Sequence, residues 1–163
     1  MATVSLSLDE IYKLANKTLL ANGCDQETAD ILSELITNAE RDGSLSHGLF
    51  RLPAYVSGLK SGKINGKQKP DIKKLTPSVI KADGKNCLAP VVLNKSIPEL
   101  VKAAKENGVA VLAIINSHHM AAMWPETEKI AEEGLVAFAC TSYKPAVAPA
   151  GAIKPLFGTN PIS

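Results

Sequence analysis

A chain of 163 residues, 45% hydrophobic and 21% charged, has the make-up of a globular protein and can bury a sizeable core as one domain or two small ones. Its formal charge of +2 is too small to argue for nucleic acid or a membrane surface as partner. Aromatics are 4% and are not interleaved with Lys or Arg as a base-stacking platform requires, while Cys24, Cys87 and Cys140 are too scattered for a disulfide framework or a thiolate metal site.

Ser7-Leu8-Asp9-Glu10 is a capping box, with Ser7 as N-cap and Glu10 at N3. Leu8, Ile11, Leu14 and Ala15 follow at helical spacing, and Gly23 supplies the stop. A second helix is predicted from Gln26 to about Arg41, capped by Asp25, with Ala29, Leu32, Leu35, Ile36 and Ala39 as its stripe. The two make an αα-hairpin, ended by the Asp42-Gly43 turn. A third helix is expected over 48–60, with Pro53 in its first turn, then a Gly/Lys-rich loop over 61–70. Residues 72–83 read as strand, interrupted at Pro77 and closed by Asp83-Gly84. Two helical pieces follow, 90–95 and 98–107, the second restarted by a capping box at Ser96-Ile97-Pro98-Glu99 and ended by Gly108.

Residues 109–115 form a continuous apolar run rich in β-branched residues, the pattern of a strand buried on both faces. A helix over 125–133, stopped by Gly134, and a second buried strand over 135–141 would complete a βαβ-like unit. Residues 143–155 are Pro/Ala-rich and aperiodic. No stretch over Met1–Leu8 has the basic start and apolar core of a signal peptide, and no apolar run approaches membrane length. The three thiols then fit a reducing, cytoplasmic setting. The last residues, Gly158-Thr159-Asn160-Pro161-Ile162-Ser163, read as a loop entering a further element, so the fold is expected to be incomplete.

All three histidines lie in two short motifs. In Ser46-His47-Gly48-Leu49-Phe50-Arg51 an imidazole precedes a guanidinium by four residues, which one helix would place on one face. That pair suits a carboxylate-bearing substrate whose reacting atom must be protonated. Ser46 is placed to hold a ring nitrogen of His47 and fix its tautomer. The plain alternatives are a structural histidine and a solvated arginine. Asn116-Ser117-His118-His119 follows an apolar strand, where ligands of α/β sheets bind. Adjacent histidines diverge and the next acid is Glu126, so zinc is not indicated and no metal is assigned. Small residues at Ala121 and Ala122 would let a ligand approach the backbone; a turn with one buried ring is the alternative. Gly158-Thr159-Asn160-Pro161 reads either as a plain turn or as a loop offering the Thr159 hydroxyl to a substrate oxygen. Neither G-x-G-x-x-G nor G-x-x-x-x-G-K-[ST] occurs, which excludes a Rossmann fingerprint and a P-loop.

Taken together, Arg41-Asp42-Gly43, Ser46-His47-Gly48, Arg51, Pro53, Tyr55-Val56, Leu59, Gly62, Ile64-Asn65, Asn116-Ser117-His118-His119 and Gly158-Thr159-Asn160-Pro161 resemble the malate/L-lactate dehydrogenase type 2 family in order and spacing. The stretches from His118 to Pro125 and from Lys154 to Pro161 look most like its Δ1-piperideine-2-carboxylate and Δ1-pyrroline-2-carboxylate reductases, although Met120 stands where an aromatic is common. The resemblance implies an α/β protein: N-terminal helices over 1–70 carrying the Ser-His-Gly motif, and over 71–163 the first part of a cofactor-binding domain with a mixed, non-Rossmann sheet. It implies NADPH, with NADH as the alternative, and reduction of a cyclic α-imino acid to L-pipecolate or L-proline. A 2-oxo acid/2-hydroxy acid dehydrogenase is the runner-up, and a non-catalytic fragment that pairs with its C-terminal remainder is a third reading. His47 becomes the proton donor with Ser46 as relay partner, Arg51 and Thr159 bind substrate, and His119, Met120, Ala121, Ala122 and Met123 contact the cofactor. A relay aspartate of the family is expected beyond Ser163, and a homodimer is expected.

Overall fold

The computed structural model describes residues 4–163; Met1 to Thr3, the start of the stretch scanned above for a signal peptide, lie outside the described residues. The chain divides into two compact units, one ending at Ala122 and one running Met123–Ser163.

The first unit opens with α1, Leu8–Ala21, and α2, Gln26–Arg41. Both start where their caps place them. Ser7 Oγ accepts the Glu10 N–H while Glu10 Oε2 accepts the Ser7 N–H at 2.8 Å, and Asp25 Oδ1 accepts the Thr28 N–H at 2.9 Å. The helices pack on each other through Ile11, Ala15 and Leu19 of α1 and Ala29, Leu32 and Ile36 of α2. Leu8 and Leu14, expected in the stripe, are largely exposed. Residues 45–51 are not the first turns of an α-helix. They form two 3-10 turns, Leu45–His47 and Leu49–Arg51, and α3 begins only at Leu52, running Leu52–Lys60 with Pro53 in its first turn.

Pro77 divides the next extended stretch into β1, Asp71–Thr76, and β2, Val79–Asp83, an antiparallel hairpin. The expected two helical pieces after it are one helix, α4, Ala89–Asn107, which passes through Pro98. A proline inside a helix costs roughly 3 kcal/mol against alanine. Burial of Val91, Val92, Ile97 and Val101 contributes about 1.5–3 kcal/mol per side chain, and continuous helical phase keeps all four inside. Both Pro98 and Asn94, whose carbonyl loses its donor, face water, which softens the penalty. The capping box at Ser96 therefore does not form, and Ser96 is buried instead. Gly108 ends α4 at φ +80°, a conformation that favours glycine.

β3, Val111–Ile115, pairs in parallel with β2, Ile80 opposite Leu112 and Ala82 opposite Ile114. The sheet is mixed, in the order β1-β2-β3. β3 was expected to be buried on both faces; it alternates instead, with Leu112 and Ile114 against the core and Val111 and Ile115 exposed at 55% and 38%. The crossover unit is β2-α4-β3, not the expected one through the next helix. The core joins Leu19, Leu32, Ile36, Tyr55, Leu88, Val91 and Val92.

The second unit holds α5, Trp124–Ala131, followed by a turn through Gly134. Residues 135–141, expected as a buried sheet strand, are an extended ribbon whose one bridge among the described residues joins Cys140 to Ile162, with Val136 and Phe138 exposed. A continuous apolar run gives the same signal for a buried strand and for one that lacks a neighbour within its own unit. Val147 bridges Phe157 across the Pro/Ala-rich loop. Among the described residues no helix is long and apolar enough to cross a membrane.

Candidate functional site

The Ser-His-Gly motif is set by the reversal of the chain after α2. Ser44 N–H returns to the Ala39 carbonyl at 2.8 Å, and His47 N–H to the Ser44 carbonyl at 2.8 Å. His47 is half-buried. Its Nδ1 faces two hydroxyls, Ser46 Oγ at 3.0 Å and Ser44 Oγ at 3.4 Å. The ring nitrogen opposite, Nε2, is the one left for chemistry. Burial lowers the His47 pKa, and the positive charge of Arg51 and the nearby His119 lower it further. His47, Arg51 and His119 therefore share one electrostatic neighbourhood, although His47 and Arg51 are not on one α-helical face.

Arg51 is half-buried, and its Nε has no hydrogen-bond partner among the described residues. Its guanidinium acts on Tyr55, which is 1% exposed and whose hydroxyl burial raises well above the ordinary phenol value, Arg51 opposing. A desolvated cation with a buried, unpaired N–H is suited to a carboxylate that brings paired oxygens.

The second motif is anchored through the backbone. His118 N–H donates to the Cys87 carbonyl at 3.0 Å, and Ala89 N–H to the His118 carbonyl at 2.9 Å, a parallel bridge that carries on past β3. Asn116 takes φ +51°, and its side-chain amide donates to Asp83 at 3.1 Å. Gly84 sits against Asn116 and Ser117 so closely that a methyl there would be 2.9 Å from both. Beyond the bridge, Ala121, Ala122 and Met123 are buried, and Met120 packs against the core. Among the described residues, the backbone N–H groups of Met120, Ala121, Ala122 and Met123 donate no hydrogen bond.

Thr159 belongs to the second unit and is exposed, whereas His47, Arg51 and His119 belong to the first. Next to it, Asn160 at φ +42° accepts the Tyr143 N–H at 3.0 Å. Two residues at the motif escape a sequence reading. Ser44 lies three residues before His47, the reach of a 3-10 turn, which is a usable signal. Glu40 accepts the Leu49 N–H at 2.7 Å from the end of α2, and nothing in its local sequence announces this.

The chain belongs to the malate/L-lactate dehydrogenase family, which matches residues 6–163. It is 41% identical over 161 residues to the Δ(1)-pyrroline-2-carboxylate/Δ(1)-piperideine-2-carboxylate reductase of Pseudomonas syringae pv. tomato, covering 99% of this chain and 47% of that protein. It is 37% identical to the (2R)-3-sulfolactate dehydrogenase (NADP(+)) of Chromohalobacter salexigens over 97% of this chain and 47% of that one. Among solved structures, the Δ1-piperideine-2-carboxylate reductase of Pseudomonas syringae pvar. tomato matches with a TM-score of 0.90 at 41% identity, over 98% of this chain and 48% of that one. The chain thus spans about half the length of the curated relatives it matches.

Proposed function

We propose that the protein carrying this chain reduces a cyclic α-imino acid, Δ1-pyrroline-2-carboxylate or Δ1-piperideine-2-carboxylate, to L-proline or L-pipecolate with a nicotinamide cofactor. The observation that carries the reading is His47, held at Nδ1 by Ser46 at 3.0 Å, in one neighbourhood with the half-buried Arg51. Arg51 binds the substrate carboxylate through its guanidinium, and Thr159 offers a hydroxyl. Once a carboxylate neutralises Arg51, one of the influences that keep His47 uncharged is removed, so substrate binding itself favours the protonated ring. His47 then supplies a proton from Nε2 to the substrate nitrogen, which ends as a secondary amine.

The residues fit a nicotinamide dinucleotide. The free N–H groups of Met120 to Met123 and the small side chains of Ala121 and Ala122 suit an oxygen-rich ligand lying against the backbone. His119 lies at the head of that run and within electrostatic reach of His47. When bound, the cofactor supplies the hydride received at C2 of the imine. NADPH is taken as the preferred form and NADH as the alternative. The reading includes a cytoplasmic homodimer and completion of the site by the remainder of the polypeptide.

A second reading, reduction of a 2-oxo acid, draws on the 37% identity to a sulfolactate dehydrogenase and needs the same arginine and histidine. The deciding experiment measures NADPH oxidation by the full-length protein with the two imino acids and with a panel of 2-oxo acids. Turnover of 2-oxo acids alone would overturn the first reading.

A further inference from the structure

We propose that Glu40 is a positioning residue for the site: its carboxylate, lying over Gly48 and accepting the Leu49 N–H, locks the turn that sets His47 relative to Arg51. The inference rests on the proposed function for the roles of those two residues.

Glu40 occupies the last turn of α2, next to the C-cap at Asp42. A carboxylate there is opposed by the negative end of the helix dipole. Its side chain leaves the helix and meets a backbone donor nine residues on, at 2.7 Å. That donor begins the second 3-10 turn, where a helix's first N–H groups have no partner of their own. The segment needs such a tie. It consists of two three-residue turns with only i→i+3 bonds, His47 N–H to Ser44 at 2.8 Å and Gly48 N–H to Leu45 at 3.3 Å in the first, Arg51 N–H to Gly48 at 3.0 Å and Leu52 N–H to Leu49 in the second. Turns of this kind hold poorly alone. Gly48 completes the arrangement, because a methyl on its α-carbon would overlap the Glu40 carboxylate. The buried glycine and the carboxylate are thus two halves of one device, placed midway between the proton carrier and the carboxylate-binding cation.

The test uses full-length enzyme with Glu40→Ala, Glu40→Gln, Gly48→Ala and the double variant Glu40→Ala/Gly48→Ala. A misplaced catalytic group costs up to roughly 10²-fold, so Glu40→Ala and Gly48→Ala should each lower kcat/KM for the imino acid by about 10- to 10²-fold. Binding of NADPH, read by fluorescence, should stay within about twofold, because among the described residues Glu40 makes no hydrogen bond to the Met120 to Met123 backbone. Glu40→Gln keeps an oxygen that accepts the Leu49 N–H and should stay near wild type. The double variant should be no worse than the worse single one, since both changes break the same contact. Single variants near wild type, multiplied losses in the double variant, or a glutamine variant as poor as alanine would each overturn the proposal. If Glu40→Ala does not fold, Gly48→Ala carries the test, its clash being with the end of a flexible side chain.

Failure of the functional reading is separable. Wild-type enzyme that reduces neither substrate class sinks that reading, and the clamp is then judged by the NMR titration of the His47 ring. Freed from burial, Arg51 and His119, the ring should titrate closer to about 6.5 in Glu40→Ala and Gly48→Ala, whereas Glu40→Gln, which loses the charge and keeps the tie, should show no upward movement. Loss of the Glu40 charge alone would move the midpoint the other way, and that result in the alanine variants, or no movement there, overturns the clamp.

Discussion

His47 faces two opposed demands. As a proton donor it must be charged, yet burial, Arg51 and His119 all favour the neutral ring. For the free enzyme the protonated population falls away at a pH below the ordinary histidine value of about 6.5. The reductive kcat/KM should therefore decline as pH rises through that depressed midpoint, and a pH profile whose limb lies at or above about 6.5 would count against the assignment. His47→Ala in the full-length enzyme should lower turnover by about 10²–10⁴-fold and leave NADPH binding largely intact, as steady-state rates and cofactor titration will reveal. Arg51→Lys keeps the charge and loses the planar fork, so KM for carboxylate substrates should rise about 10- to 100-fold, the worth of one hydrogen bond to a charged group. Unchanged kinetics would return Arg51 to the status of a surface residue. At this scale the sequence was informative where partners are neighbours in the chain. Ser46 beside His47 is adjacency, and Arg51 is four residues on, at the end of the next 3-10 turn. Glu40 stayed hidden because the fold, by reversing the chain after α2, brings it in, and Ser44 because its reach is that of a 3-10 turn where an α-helix was expected.

Caps decide the helices. α1 and α2 begin at Ser7 and Asp25 as read, because a cap is a local hydrogen bond with a local signature. Strand burial is not local, and so β3 and the ribbon over 135–141 were misjudged, as was the helix break at Ser96, where packing outweighed the cap. Replacing Pro98 by alanine should restore a donor to the Asn94 carbonyl and stabilise the fold by about 1–3 kcal/mol, visible as a higher Tm. The start of α2 carries an ion network: Lys69 bonds Asp25 at 2.9 Å and Glu27 at 2.5 Å, and Lys95 also bonds Glu27. Lys69 and Lys95 depress the Glu27 pKa, and at Asp25 the Lys69 and Thr28 bonds outweigh a burial effect of the opposite sign. Because both folded values lie below the unfolded ones, the stabilisation is complete above the ordinary carboxylate range and is lost as pH falls through the folded values. The Tm gap between wild type and Lys69→Ala should accordingly close as pH falls from about 6 to about 3.

At the scale of the molecule, the chain corresponds to about half of its relatives, and the apolar groups it leaves exposed include Val111 and Ile115 of β3 and Val136 and Phe138 of the second unit. Residues 1–163 produced alone should oxidise no NADPH with either imino acid, activity returning when the remainder of the full-length protein is supplied; turnover by the isolated chain would refute this. The mixed pairing of the sheet has a consequence in time. The α1/α2 hairpin and the β1/β2 hairpin join segments adjacent in the chain, whereas β2 and β3 meet only after the whole of α4 has intervened. Closing that long loop is the entropically slow event. The stretch from Asn116 to Met123 hangs on β3, and its bridge at Leu88 cannot form before β3 has docked. In refolding followed by pulsed hydrogen exchange, the amides of α1 and α2 should gain protection first, and those of Ile115 and His118 last. Within this unit the stretch assigned to the cofactor, as far as Ala122, should thus be the last part to be made, the Ser-His-Gly turn coming before the strand that brings His119 near it.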